Sequence, residues 1–239
     1  MKQILVTGAN GQLGQEIKRI SSNYPEYAFF FTDVGELDIT RIEHIEDFLG
    51  KHDIDIILNC AAYNSVDGAE KEEDKAFLIN SIAVKYLAQL AEKNDIFFIH
   101  GSTDYVFDGM NNVPYVESDQ PNPLSAYARS KHEGETQVIN TLEKAAIFRT
   151  SWLYSPYGHN FVKTILKYGA EKEKLNVVFD QVGTPTYSED LATAIMDFIP
   201  KHSEIEGVEI FHFSNEGVAS WYDFAKAIIE LTGMNCDVL

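Results

Sequence analysis

Gln3-Ile4-Leu5-Val6-Thr7-Gly8-Ala9-Asn10-Gly11-Gln12-Leu13-Gly14 is an apolar, β-branched run that breaks into glycines, after which Ile17 and Ile20 recur at helical spacing. Strand, glycine turn and helix in succession are the setting in which glycines bind a dinucleotide. They permit a tight turn and let the backbone approach a pyrophosphate, which rests at the positive amino end of the helix. The spacing is Gly-x-x-Gly-x-x-Gly, a departure from the commoner Gly-x-Gly-x-x-Gly. A structural turn alone would also use Gly8, Gly11 and Gly14; the flanking strand and helix favour nucleotide binding.

A second strand over Ala28–Thr32 ends at Asp33, close to the place where this kind of fold puts a ribose-binding carboxylate. Asp38-Ile39-Thr40 opens the next helix, with Asp38 as its N-cap. Strand Ile54–Leu58 leads into Asn59-Cys60-Ala61-Ala62-Tyr63, whose small residues suit either a cofactor lying against the strand end or a close-packed turn. Glu70 to Asp74 reads as the solvated start of a helix that continues apolar at Phe77, Ala83, Leu87, Leu90 and Ala91. Later come a strand over Ala145–Phe148, a helix opened by Asn160, a strand over Ile210–Phe213, and a last helix capped by Ser220 and running through Leu231. Strands alternating with helices predict an α/β, Rossmann-type, doubly wound parallel sheet with ligands at the carboxyl ends of its strands. Residues 1–150 read as the dinucleotide-binding core; residues 151–239 read as a smaller part that completes the sheet and forms part of a substrate site.

The stretch Ser102 to Lys131 carries the chemistry. The apolar run Ile96–Ile99 breaks into Gly101-Ser102-Thr103-Asp104-Tyr105, a buried strand delivering polar side chains at its carboxyl end. After a loop with Pro114, Pro121 and Pro123 comes Ser125-Ala126-Tyr127-Ala128-Arg129-Ser130-Lys131, helical through Glu135. Tyr127 and Lys131 share one helix face, about 5–6 Å apart at Cβ. A phenol has an ordinary pKa of about 10, and a nearby ammonium lowers it, which lets tyrosine act as a general acid or base. Thr103 supplies a hydroxyl for the reacting oxygen. Tyr-x-x-x-Lys is usually a solvated pair; the upstream Ser-Thr and the glycine-rich start single this one out.

The chain of 239 residues is 45% hydrophobic, enough for one large core or two small ones. Its net charge of −18 argues against nucleic acid or an anionic membrane surface as partner. No apolar run approaches the roughly 20 residues of a membrane span, and the amino terminus reads as a short strand rather than a signal peptide, so a cytoplasmic location is expected. Cys60 and Cys236 have no metal-like spacing and read as reduced, packed thiols.

Thr7 to Gly14, Asn59 to Tyr63, Ser102-Thr103-Asp104-Tyr105-Val106-Phe107-Asp108-Gly109, Tyr127 with Lys131, Arg149-Thr150-Ser151-Trp152 and Asp180 to Thr186 together resemble the extended short-chain dehydrogenase/reductases over the whole chain. The resemblance implies Thr103, Tyr127 and Lys131 as the catalytic set. It implies Gly8, Asn10, Gly11, Gln12, Leu13, Gly14, Asp33, Asp38, Ile39, Ala62, Tyr63 and Asn64, with Tyr127 and Lys131, around an NADH or NADPH cofactor. Asp104 and Trp152, with Thr103, Asn160 and Gln181, fall on the substrate side. The implied activity is reduction of the C4 ketone of dTDP-4-dehydro-L-rhamnose in cell-surface polysaccharide biosynthesis. A homodimer is implied too, with Mg2+ at the interface in some members and Glu16 and Glu189 as candidate ligands. Ala128 stands where a glycine usually follows the tyrosine, and members of the family continue beyond the position of Leu239 with a segment rich in proline and arginine.

Two other readings share these residues: a nucleotide-sugar epimerase or dehydratase of the same fold, and a regulatory subunit that binds the nucleotide without turnover. The Arg-Thr-Ser-Trp string favours the reductase over the first, and the presence of all three catalytic side chains argues against the second. Asp33, with no cation before Arg41, favours a free ribose 2′-hydroxyl, so NADH is expected to bind at least as well as NADPH. On the substrate side Arg149 and Lys163 are the best-placed cations for a diphosphate, and the sugar nucleotide is expected to bind more weakly than the dinucleotide.

Overall fold

Six apolar segments pair as parallel strands in the computed structural model, which describes residues Met1–Leu239. They are β1 (Lys2–Thr7), β2 (Tyr27–Phe31), β3 (Ile56–Asn59), β4 (Phe97–Thr103), β5 (Ala145–Thr150) and β6 (Val208–Phe213). Their order across the sheet is β6-β5-β4-β3-β1-β2. The register sets Ile4 beside Ile56, Ile56 beside Phe97, and Phe98 beside Ala145.

Side chains alternate between the two faces of a strand, so each apolar run feeds two cores at once. Leu5, Ile57, Phe98 and Ile147 face one way and pack with Leu87, Ala88, Ala91 and Val138. Ile4, Val6, Ile56, Leu58, Ile99 and Phe148 face the other and pack with Ile17, Leu191 and Ile195. Each fully buried Leu, Ile or Phe contributes roughly 1.5–3 kcal/mol from leaving water, which makes these two layers the main source of stability. A third, smaller core joins the helices Phe161–Glu171 and Trp221–Thr232 through Ile165, Ala225, Ile228 and Ile229. Because β2 lies on one side of β1 and β3 on the other, the connections diverge between β1 and β3, and a crevice opens at their carboxyl ends. No helix is long and apolar enough to cross a membrane.

Two local details, at Asp38 and at Leu78–Ile82, differ from the sequence expectation. Asp38 is not an N-cap: the helix runs Ile42–Leu49 behind Arg41, and the Asp38 carboxylate accepts from both the backbone N–H (3.0 Å) and the hydroxyl (2.6 Å) of Thr40. Asp38 thus stabilises a local turn, the usual rival of a cap for this side chain. β4 runs on past Ile99 to Thr103 and delivers its polar residues at the carboxyl end as expected, because Gly101, Ser102 and Thr103 keep their register with Phe148, Arg149 and Thr150. The helix through Leu87 contains a π-helical stretch, Leu78–Ile82, which places Asn80 against the helix that carries Tyr127.

Candidate active site

A cavity of about 390 Å³ opens at the β1/β3 crevice. Among its lining residues are Gly8, Asn10, Gly11, Asp33, Asp38, Ile39, Ala62 and Asn64, all expected from the sequence, together with Val34, Leu37, Thr40, Cys60, Ala61 and Ile79. Gly8 has φ +63°, and a Cβ there would stand 2.6 Å from the Ala61 backbone, so only glycine fits. Gly14 lies beneath the turn, where a Cβ would meet the Gly8 carbonyl at 2.5 Å. The helix Gln12–Ile20 starts at Gly11 with no side-chain cap, which leaves its first N–H groups free to meet an anion. Asp33 accepts from the backbone N–H of Asn10 (3.0 Å) and of Val34 (2.8 Å), and no lysine or arginine lines the cavity.

Three expected cofactor side chains point elsewhere. Leu13 is in the core at 9% exposure. The Gln12 amide turns away to Leu153, Ser155 and Asn160. Tyr63 donates its hydroxyl to Glu72 at 2.7 Å and has its backbone N–H and C=O held by Asn80. Gln12 and Leu13 retain a route to an anion only through their backbone N–H groups at the helix start.

Thr103 ends β4, and Tyr127 and Lys131 stand on the helix Ala126–Thr141. That helix is fixed at its start by Ser125 Oγ, which accepts from the Ala128 N–H at 3.1 Å, and by Glu70, which accepts from the Ala126 N–H at 2.7 Å. All three catalytic candidates are buried. Burial raises the Tyr127 phenol above its ordinary pKa; a hydrogen bond with Thr103 opposes this, and the charge of Asp104 adds to it. Burial pulls the Lys131 ammonium down to about 8, against the stabilising charge of Glu135. The expected lowering of Tyr127 by Lys131 is therefore not what the structure shows. Desolvation dominates at the phenol, and Lys131 Nζ donates to the Gly101 carbonyl at 2.6 Å.

Behind these groups Glu135 accepts from Ser102 (2.5 Å) and from Arg149 Nε (2.8 Å) and Nη2 (2.7 Å). Burial alone would raise Glu135, but the hydrogen bonds led by Arg149 hold it at about 2. Arg149 also lies over the Phe107 ring at 5.1 Å. This pairing engages the guanidinium within the protein, so Arg149 is not a free cation for a diphosphate.

A second cavity, of about 840 Å³, adjoins this region and is lined by Asp104, Trp152 and Gln181 as expected, and by Tyr105, Tyr115, Ser151, His212 and Trp221. Burial raises Asp104 to about 6, with the Thr103 hydroxyl acting in the opposite sense. Trp152 has φ +47° and stacks on Trp221 with ring centroids 3.4 Å apart. Asn160 is not at this cavity. It caps the helix Phe161–Glu171 by accepting from the Lys163 N–H (3.1 Å) and donates to Gln12 (2.9 Å) and to the Ser155 carbonyl (2.8 Å), which uses up its amide. Trp221 and His212 carried no motif that a sequence reading could catch, since they reach the cavity from separate late segments.

A family model described as the RmlD substrate binding domain matches residues 1–238. A dTDP-4-dehydrorhamnose reductase of Aggregatibacter actinomycetemcomitans is 41% identical over 96% of this chain and 79% of its own length. The chain belongs to the dTDP-4-dehydrorhamnose reductase family. Among solved structures, a dTDP-4-dehydrorhamnose reductase of Clostridium acetobutylicum superposes with TM-score 0.94 at 42% identity, covering 99% of this chain and 82% of that one. The reductase of Bacillus anthracis, solved in complex with NADP, gives TM-score 0.94 at 40% identity, covering 100% of this chain and 84% of that one. The alternation of strands and helices and the crevice at β1/β3 are thus those of a dTDP-4-dehydrorhamnose reductase fold.

The metal expectation for a member of this family does not fit the residues present. Glu16 is fully buried and pairs with Arg19 at 2.8 Å, and the same guanidinium pairs with Glu189. The two carboxylates share one arginine, the second Glu16 oxygen has no partner, and no group of three or more candidate ligand side chains is gathered anywhere in the chain.

Proposed function

We propose that this chain reduces the C4 ketone of dTDP-4-dehydro-L-rhamnose to the alcohol, as an NAD(P)H-dependent dTDP-4-dehydrorhamnose reductase. The observation that carries this reading is the placement of Thr103, Tyr127 and Lys131 at the carboxyl end of β4 beside the cavity lined by Asp104 and Trp152, in a member of this family. The glycine turn, the uncapped helix start and Asp33 fit a dinucleotide, whose nicotinamide supplies the hydride when bound. Tyr127, kept protonated by burial, donates its proton to the carbonyl oxygen as that oxygen takes negative charge. Thr103 hydrogen-bonds the same oxygen. Lys131, one helical turn after Tyr127 and donating to the Gly101 carbonyl, would hold the ribose of the cofactor.

Asp33 and the absence of lining cations support NADH binding at least as well as NADPH. The Glu135 pairing of Arg149 and the lining carboxylates Asp104, Asp108 and Asp180 support weaker binding of the sugar nucleotide than of the dinucleotide. We assign residues 1–150 to the cofactor and much of 151–239 to the substrate. A cytoplasmic homodimer with no nucleic-acid partner belongs to the same proposal, on the family resemblance and the net charge of −18. Incubating the protein with dTDP-4-dehydro-L-rhamnose and reduced cofactor is expected to consume the nicotinamide absorbance. No consumption with either cofactor would refute the reading.

A further inference from the structure

We propose that Gln12 is a positioning residue that couples the two cavities, tying the glycine turn of the cofactor site to the loop that bears the aromatic wall of the substrate site. The inference rests on the functional reading above. Gln12 is the first residue of the helix Gln12–Ile20, so its backbone N–H belongs to the anion-facing helix start. Its side chain runs the other way. Nε2 donates to the Leu153 carbonyl at 3.3 Å, and Oε1 accepts from Ser155 Oγ at 3.1 Å and from Asn160 Nδ2 at 2.9 Å. One donated and two accepted bonds fix which way the amide points. Ser155 and Asn160 are buried, so these bonds are shielded from competing water.

The loop so held is bracketed by the substrate wall. Trp152 precedes it, in a left-handed backbone conformation that a tryptophan adopts only when its surroundings hold it there. Phe161 follows it, and both rings pack on Trp221, at centroid distances of 3.4 Å and 4.5 Å. Trp152 and Trp221 line the larger cavity. A shift of the glycine turn on gripping a pyrophosphate therefore pulls on Leu153, Ser155 and Asn160, and through them on the tryptophan pair. By linkage, a ligand that orders the tryptophan pair favours the gripping form of the turn to the same degree.

The test is a titration of NADH, read by nicotinamide fluorescence, with and without saturating dTDP-L-rhamnose. In the unaltered protein the sugar nucleotide is expected to change the NADH dissociation constant by about fivefold or more, within the usual range of coupling between sites. Gln12→Met fills a similar volume without making any of the three bonds, and Ser155→Ala removes one of them. In Gln12→Met the ratio is expected to fall to about one, and in Ser155→Ala to an intermediate value. Thermal melting checks that both variants fold. A purely structural role would lower the melting temperature and leave the ratio unchanged, which would overturn the proposal, as would a ratio of one in the unaltered protein. Failure of NADH or dTDP-L-rhamnose to bind the unaltered protein at all would instead bring down the functional reading.

Discussion

Burial acts on Tyr127 and Lys131 in opposite directions, raising the phenol and drawing the ammonium down to about 8. At neutral pH the tyrosine therefore carries its proton and the lysine its charge, the pair of states that proton donation requires. Tyr127→Phe removes the donor and keeps the ring, so turnover is expected to fall by roughly 10²- to 10⁴-fold with NADH binding retained. Normal turnover in that variant would remove Tyr127 from the chemistry. Lys131 loses its charge as pH rises through about 8, so kcat/KM is expected to fall above that pH. A flat profile to pH 9.5 would show that the charge is not needed. Asp33 lines the smaller cavity with a carboxylate and no cation beside it, so Asp33→Ala is expected to improve NADPH binding relative to NADH. Titrating both cofactors into both proteins measures this, and an unchanged ratio would sink the argument. At this scale the sequence was informative wherever a residue type has one job. Gly8 and Asp33 line the smaller cavity where the sequence reading put them, whereas the amides of Gln12 and Asn160 go to whichever partner the fold brings, and theirs lie 148 residues apart.

Among the elements, the helix Ala126–Thr141 decides the geometry of the site, and its start is held twice, by Ser125 and by Glu70. The sequence reading took Ser125 into the helical run rather than as its cap. Glu70 was read as solvated, because its bond to the Ala126 N–H joins segments far apart in sequence. Losing a cap costs about 1 kcal/mol. Ser125→Ala is expected to lower stability by that amount and to reduce kcat, since Tyr127 stands in the first turn that the cap fixes. Denaturant unfolding beside steady-state kinetics tests both, and a stability loss with kcat untouched would separate the cap from the chemistry. Asp38 shows the opposite failure, a residue with the chemistry of a cap that satisfies Thr40 instead. Asx turns and caps draw on the same side chains, and only the entry direction of the following helix decides between them.

Across the whole molecule the layers follow from alternation along the strands, which is why the parallel sheet could be read from apolar runs alone while the electrostatic centre beneath it could not. Glu135 gives no sign in sequence of being fully buried between Ser102 and Arg149. Its carboxyl is held at about 2 in the folded protein, below the ordinary 4.5, so the unfolded chain takes up a proton there first as pH falls. The stability this pair contributes is fully present above about pH 4.5 and is lost as pH falls toward 2. Lys131 runs in the other window: folded at about 8 against an ordinary 10.5, it leaves the unfolded chain holding more protons between those values. Its effect is a stability that rises with pH from about 8 to 10.5. Melting temperature against pH is thus expected to slope upward in the acid window and from about pH 8 to 9; above that the buried Cys60 thiol, which burial pushes up to about 12, opposes Lys131, because the unfolded chain gives up that proton first. Glu135→Gln is expected to flatten the acid slope and lower the plateau, because it leaves Arg149 buried with its charge uncompensated. Lys131→Met is expected to leave the acid slope unchanged and to remove the rise between about pH 8 and 9. If Glu135→Gln kept the full acid slope, the loss of stability at low pH would have to come from other carboxylates, and the buried Glu135–Arg149 pair would not be what ties this fold to neutral pH.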